Sequence, residues 1–346
     1  MSLTLTEIRG QYQALAQTIA LLDENEAALR AFFDEVNPAS IVFTGCGSSY
    51  SLSCAFRTIA SLRTATPVYA LAAGDLWLNT PRYARLLKDA LIVSVSRSGE
   101  TSELVNACKA VADMGVGARF LSVICANDTP QEAISDFTLR MPWAFDESVC
   151  QTRCVSNMYA MGAMVVGVMT GDASIREGMA GMAQCGPAYL ERIDAVAQEL
   201  AGGDWDHGVV LADGEIDGIA EEAALTFKEI CQQNSNYYHL LDVRHGPMVL
   251  IGARTLAIAA VKSPADRYEM QLVADLVARG AKVVCYTTEQ IDAPGALCVP
   301  LGRDVGSVAF GLGLVALCQL TTYYKSLRVG CDPDHPTGLD PWILIG

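Results

Sequence analysis

The chain has 346 residues, 51% of them hydrophobic, and a formal net charge of −15. That length suits two domains of roughly 150 residues each, and the acidity argues against nucleic acid and anionic membrane surfaces as partners. Any phosphorylated ligand must be held locally, by backbone amides and hydroxyls, against a repelling global field.

Residues 1–35 are amphipathic and charged. They predict a helical N-terminal segment, not the basic and then apolar pattern of a secretory signal. "IVFTGCGSSYS", Ile41 to Ser51, then reads as a strand ending in a Gly turn and entering a helix. The run Ala90 to Val95 is a short buried strand of largely β-branched residues. After it, Leu104, Cys108 and Val111 recur at helical spacing. The polar cluster "SVSRSGETSE", Ser94 to Glu103, therefore lies between a strand end and the first turn of a helix. Unpaired N–H groups and the helix dipole favour an anion there. Ser98 or Thr101 could instead be an ordinary N-cap within a capping box. One cap needs one hydroxyl, however, and here Ser96, Ser98, Thr101 and Arg97 crowd one turn. The cluster points to a phosphate-sized anion.

Further along, "FLSVICA" reads as a strand and "MYAMGAMVVGVMTG" as a buried segment too short to span a bilayer. The stretch 186–206 reads as a connecting helix and a Gly/Asp-rich loop. Beyond it the order of the first half returns. "GVVLADGEIDG" echoes the Ile41 strand and turn, and "RTLAIAAVKSPAD" echoes "DALIVSVSRSGE". "AKVVCYTTEQ" echoes "ARFLSVICAND", and "ALCVPLG" echoes "FTLRMPWA". Two α/β domains follow, each a doubly wound, mainly parallel five-stranded sheet with helices on both faces. Their expected extents are 36–185 and 207–330, with a tail at 331–346. The apolar "SVAFGLGLVALCQL" reads as a buried core helix, since its flanks are polar. Twelve cysteines lie scattered in apolar runs without a CxxC pair. They read as buried thiols of a cytoplasmic protein, with no metal site.

In "IAEEAALTFKEICQQ", Ile219, Ala223, Phe227 and Ile230 form one apolar helix face. Glu222, Thr226 and Glu229 make a stripe beside it. A carboxylate at such a margin can be poised as a base by desolvation, although a solvated helical glutamate would leave the same pattern.

The combination "GCGSSY", "SVSRSGET", "ESVCQTR", "ALTFKEI" and "RHGPMVLI" resembles the sugar isomerase (SIS) domain family across essentially the whole chain. The nearest arrangement is the tandem-SIS group: the isomerase half of glucosamine-6-phosphate synthase, tagatose-6-phosphate isomerase/deaminase-like proteins, and fructosamine-6-phosphate deglycases. The resemblance implies a cradle for the phosphate of a sugar 6-phosphate at Ser48, Ser49, Ser96, Ser98 and Thr101. Arg97 joins them where the synthase has a glutamine, and Gly47 and Glu222 are further substrate contacts. It implies Glu229 as base and His245 as the group that helps open the sugar ring, contributed across a homodimer. It implies no cofactor, no metal and, without an amidotransferase domain, no glutaminase activity. Two lysines of the synthase are replaced here, by Thr226 and by Pro341. A lysine Schiff base is thereby disfavoured, and deglycase-type C–N cleavage stands ahead of isomerisation, deamination or binding without turnover.

Overall fold

A computed structural model describes residues 2–345. In chain order the elements are α1 (Leu3–Val36), β1 (Ser40–Gly45), α2 (Ser48–Ser61), β2 (Val68–Ala72), α3 (Ala73–Asn79), α4 (Ala84–Leu87), β3 (Ala90–Ser96), α5 (Ser102–Asp113), β4 (Arg119–Ile124), β5 (Phe137–Arg140) and α6 (Arg153–Thr170). They continue with α7 (Ala173–Ala201), β6 (His207–Leu211), α8 (Asp217–Glu229), β7 (Asn234–Tyr238), β8 (Thr255–Ala260), α9 (Arg267–Ala278), β9 (Lys282–Thr287), β10 (Leu297–Pro300) and α10 (Gly306–Val329).

The strands form two five-stranded sheets, ordered β2-β1-β3-β4-β5 and β10-β9-β8-β6-β7, and every pairing is parallel. Read from the other edge, the second order becomes β7-β6-β8-β9-β10, the same topology as the first. The echoes seen in sequence are thus β1 with β6, β3 with β8, β4 with β9 and β5 with β10. The outer strands β2 and β7 complete each sheet. Contacts divide the chain into two compact units. The first holds Gly10–Glu147, Gln151–Ala180 and the tail from Asp340. The second holds Ser148–Cys150 and Gly181–Leu339, with the opening turns of α1. The expected tail 331–346 is therefore divided at Leu339, and α7 begins well before the expected connector at 186.

Packing in the first unit follows from side-chain alternation along the strands. Phe43 of β1 packs on Phe56 of α2 with ring centroids 5.6 Å apart, and Phe56 on Tyr159 of α6 at 6.2 Å. Val42, Ala90 and Ile92 face the other way, against Leu76 of α3 and Leu104, Cys108 and Val111 of α5.

The same alternation fixes the layers of the second unit. Gly208 faces α8: a Cβ there would lie 2.3 Å from the Phe227 ring. Its partner in register, Ser235, donates to the Ala224 carbonyl of α8. Val209 and Leu211 point to the opposite face, with Ala257, Ala259, Val283 and Cys285. That core is closed by Leu272, Val273 and Leu276 of α9 and by Val243, Met248 and Ile251 of the β7–β8 connection. So α8 covers one face and the β7–β8 connection the other. Helix α10 is long and apolar enough to cross a membrane, but 83% of its apolar window is buried. It is a core helix packed on α8.

Candidate active site

Two loops meet at the carboxyl end of the first sheet, on the neighbouring strands β1 and β3. The first, Cys46-Gly47, enters α2 at Ser48. Gly47 has φ 53°, and its exposed Cα faces open space. The second, Arg97 to Thr101, enters α5. Gly99 has φ 65°, and a Cβ on it would lie 2.5 Å from the Thr129 hydroxyl, so only glycine closes this turn. The loops bring Ser48, Ser49, Ser96, Ser98 and Thr101 to one end of two adjacent strands, beside two helix N-termini. That is the setting in which backbone N–H groups and helix dipoles hold an anion.

The ordinary capping explanation does not account for these hydroxyls. Thr101 is the N-cap of α5 and makes no side-chain cap bond, and α2 is entered through Gly47, which has no side chain. Ser96 Oγ accepts from the Gly99 N–H at 2.9 Å and Ser98 Oγ from the Glu100 N–H at 3.2 Å, which shapes the loop. Among the described residues, the hydroxyls of Ser48, Ser49 and Thr101 hydrogen-bond to no other protein group. Burial, reinforced by Glu103, pushes the Cys46 thiol up to about 12.

Arg97, expected beside the phosphate, engages the C-terminal segment. It is only 3% exposed, and its Nη2 donates to the Pro341 carbonyl of the tail. Its guanidinium lies 5.9 Å from the ring centroids of both Phe145 and Trp342. The physical reason is reach. A long side chain leaving the loop meets the Pro341 carbonyl and two aromatic rings, which together offset lost solvation. Trp342 is the residue that sequence reasoning missed. Its only sequence signal was an apolar "WILI" in an otherwise polar tail.

The segment around "ESVCQTR" forms the entry to α6. The buried carboxylate of Asp146 accepts from the N–H groups of Thr152 (2.7 Å) and Cys154 (2.9 Å), with the Arg153 guanidinium at 3.6 Å. It satisfies orphan donors at a helix N-terminus and fixes the turn from which Phe145 meets Arg97.

In the second unit Glu229 is the last residue of α8 and is half-buried. Helix α8 runs antiparallel to the strands, so Glu229 lies at the amino end of its sheet, just before β7. Thr226 is 2% exposed, and its hydroxyl donates to the Ala223 carbonyl at 2.8 Å. Glu222 is 0% exposed, so solvent does not reach the expected substrate contact. Lys228 is exposed on the helix. Partial burial of its stem lowers its pKa, against the pull of Glu221, Glu229 and Glu222. A polar hollow of about 420 Å³, lined by Lys228, Gln232, Gln233, Asn234, Ser235 and Asn236, opens beside this end of α8. His245 lies on the β7–β8 connection, exposed, and its backbone N–H donates to the Asp242 carbonyl at 2.8 Å. Glu229 and His245 therefore belong to elements that cover opposite faces of the sheet.

No protein-family model matches the chain. It is 25% identical over 351 residues to the glutamine–fructose-6-phosphate aminotransferase [isomerizing] of Methanothermobacter thermautotrophicus, covering 99% of this chain and 57% of that protein. It is 26% identical over 353 residues to D-galactosamine-6-phosphate deaminase AgaS of Escherichia coli, covering 96% of this chain and 91% of that protein. The chain resembles the tandem SIS proteins. In fold, a tagatose-6-phosphate ketose/aldose isomerase from Escherichia coli superposes on this chain with a TM-score of 0.87 at 23% identity. That match covers 100% of this chain and 96% of the other. The chain spans little more than half the length of the aminotransferase.

Proposed function

We propose that the protein is a phosphosugar-processing enzyme that enolises a ketosamine 6-phosphate and cleaves its C–N bond, in the manner of a fructosamine-6-phosphate deglycase. The observation that carries the phosphate end is the set of Ser48, Ser49 and Thr101 hydroxyls at two helix N-termini, which make no side-chain cap bond and, among the described residues, hydrogen-bond to no other protein group. The relatives named for fructose 6-phosphate and galactosamine 6-phosphate chemistry support the same substrate class.

The chemistry is assigned to Glu229 and His245. Glu229 removes a proton from C1 of the open-chain ketosamine, and return of a proton at C2 gives an imine between the sugar and its own amine. Water adds to that imine, the C–N bond breaks, and the amine leaves protonated. The products are a hexose 6-phosphate and a free amine. A synthase-type lysine imine finds no support. The Thr226 position is closed by a hydroxyl bonded to its own helix, and the tail carries no lysine. The amide-rich hollow beside α8 is suited to the amine half of such a substrate.

Two copies of the chain complete the site in this reading. Glu229 and His245 flank one sheet on opposite faces, so a shared site draws its histidine from a second copy. Around His245, Leu241, Val249 and Leu250 are 42%, 78% and 67% exposed, an apolar surface that a second copy would cover. Incubating the protein with fructosamine 6-phosphates and with plain hexose 6-phosphates tests the reading. Amine release supports it. Epimerisation alone would indicate an isomerase, and binding without turnover a sensor.

A further inference from the structure

We propose that Arg97 is a positioning residue that fastens the C-terminal segment to the phosphate loop, leaving the cradle itself without a formal positive charge. The inference rests on the cradle reading for its consequence, but its geometry stands alone. Arg97 is buried at 3% exposure within the loop Ser96 to Thr101, yet its Nη2 donates away from the loop, to the Pro341 carbonyl. Phe145 and Trp342 each present a ring 5.9 Å from its guanidinium. One ring comes from the turn entering α6 and the other from the tail. A planar cation held by a carbonyl and two rings has a fixed orientation, which a lysine would not reproduce.

The tail makes two further bonds to the same loop and helix. The Ser102 N–H, the first of α5, donates to the Ile343 carbonyl at 3.1 Å. The Ile345 N–H donates to the Ser102 hydroxyl at 2.9 Å. Residues 341–345 therefore run across the start of α5 with three hydrogen bonds, and Arg97 is the one charged anchor among them. Since Arg97 and the Ser102 N–H are used by the tail, the cradle relies on the hydroxyls and the remaining loop amides. The guanidinium acts on catalysis through Trp342 and the tail, not by touching the phosphate.

Hydrogen exchange followed by mass spectrometry, on the full chain, reads the anchor directly. In Arg97→Gln the amides of Ser102 and Ile345 should exchange at least tenfold faster, while core strands β1 and β3 keep their protection. Arg97→Lys should restore part of that protection. Trp342→Ala, a change in an exposed segment that leaves both cores intact, should loosen the same two amides. Inorganic phosphate binding, measured by calorimetry, should change less than threefold in Arg97→Gln. Unchanged exchange at Ser102 and Ile345 in both variants would overturn the anchor. A tenfold or greater loss of phosphate affinity with the tail still protected would make Arg97 a ligand instead. If the wild-type protein binds no phosphate, the cradle reading fails, and the exchange measurements still decide the anchor.

Discussion

Glu229 and His245 stand on opposite faces of one five-stranded sheet. The face of Glu229 is set by Phe227 and Ala224, which meet Gly208 and Ser235. The face of His245 is set by Val243 and Met248, which pack on Val209 and Leu211. If both groups serve one reaction, they do so across two copies of the chain. Mixing inactive Glu229→Gln and His245→Asn proteins should then restore part of the activity, because one mixed site carries both wild-type groups. Activity recorded after subunit exchange checks this. Failure to recover, with exchange demonstrated, would remove His245 from a shared site.

The phosphate cradle makes a prediction that a capping role would not. The Thr101 hydroxyl makes no cap bond, so Thr101→Ala should leave the unfolding midpoint nearly unchanged, where loss of a true cap costs about 0.5–2 kcal/mol. The same change should weaken sugar-phosphate binding by about 1 kcal/mol or more, the loss of one hydrogen bond to a charged group. Denaturant titration and calorimetry on one variant separate the two roles.

Much of this architecture was legible in sequence. Apolar runs such as "ALIVSVS" and "KVVCYT" announce buried parallel strands, and their repeated order announced two units of one topology. The edge strand β7 was not legible: Asn-Ser-Asn-Tyr-Tyr lacks an apolar run, and pairing with β6 makes it a strand. The hydroxyl cluster was visible because its chemistry is local to one turn. The partner of Arg97 was not, because Pro341 lies far along the chain and a side chain's direction leaves no periodic trace. The burial of Glu222 was hidden for a related reason. Helical spacing placed it at the edge of an apolar stripe, and spacing along one helix does not show how far tertiary packing extends the buried face, which here includes it.

Asp334 offers a test of long-range helix capping. Its carboxylate accepts from the N–H groups of Leu3 and Thr4 and the hydroxyls of Ser2 and Thr4, at 2.6–2.9 Å, at the start of α1. Burial raises its pKa, but the bonds from Ser2, Thr4 and Leu3 outweigh burial and hold the carboxyl below its usual range. A depressed carboxylate stabilises the fold above its unfolded pKa of about 3.9 and loses that contribution as pH falls through the folded value. Asp334→Ala should cost about 0.5–2 kcal/mol at pH 7, and the gap to wild type should narrow on acidification below about pH 4. Urea unfolding at neutral and acid pH measures both.

Lys228 is next to Glu229 in sequence but points elsewhere on α8, by about 100°. Lys228→Ala should change turnover only modestly, and borohydride added during turnover should trap no sugar on the protein. Mass spectrometry of the intact chain reads the outcome. A sugar adduct on Lys228 would replace the proposed route by an enzyme imine.

The central claim is C–N cleavage begun by Glu229 at C1. The direct measurement is the amount of amine and hexose 6-phosphate formed from a fructosamine 6-phosphate carrying two deuterons at C1, by wild type and by Glu229→Gln. The account predicts one amine per hexose 6-phosphate, with one deuteron lost from C1. It also predicts a drop in kcat of about 10²–10⁴ in Glu229→Gln, with sugar-phosphate affinity largely kept. Near-normal amine release by Glu229→Gln, or hexose phosphates interconverted with no amine released, would contradict it.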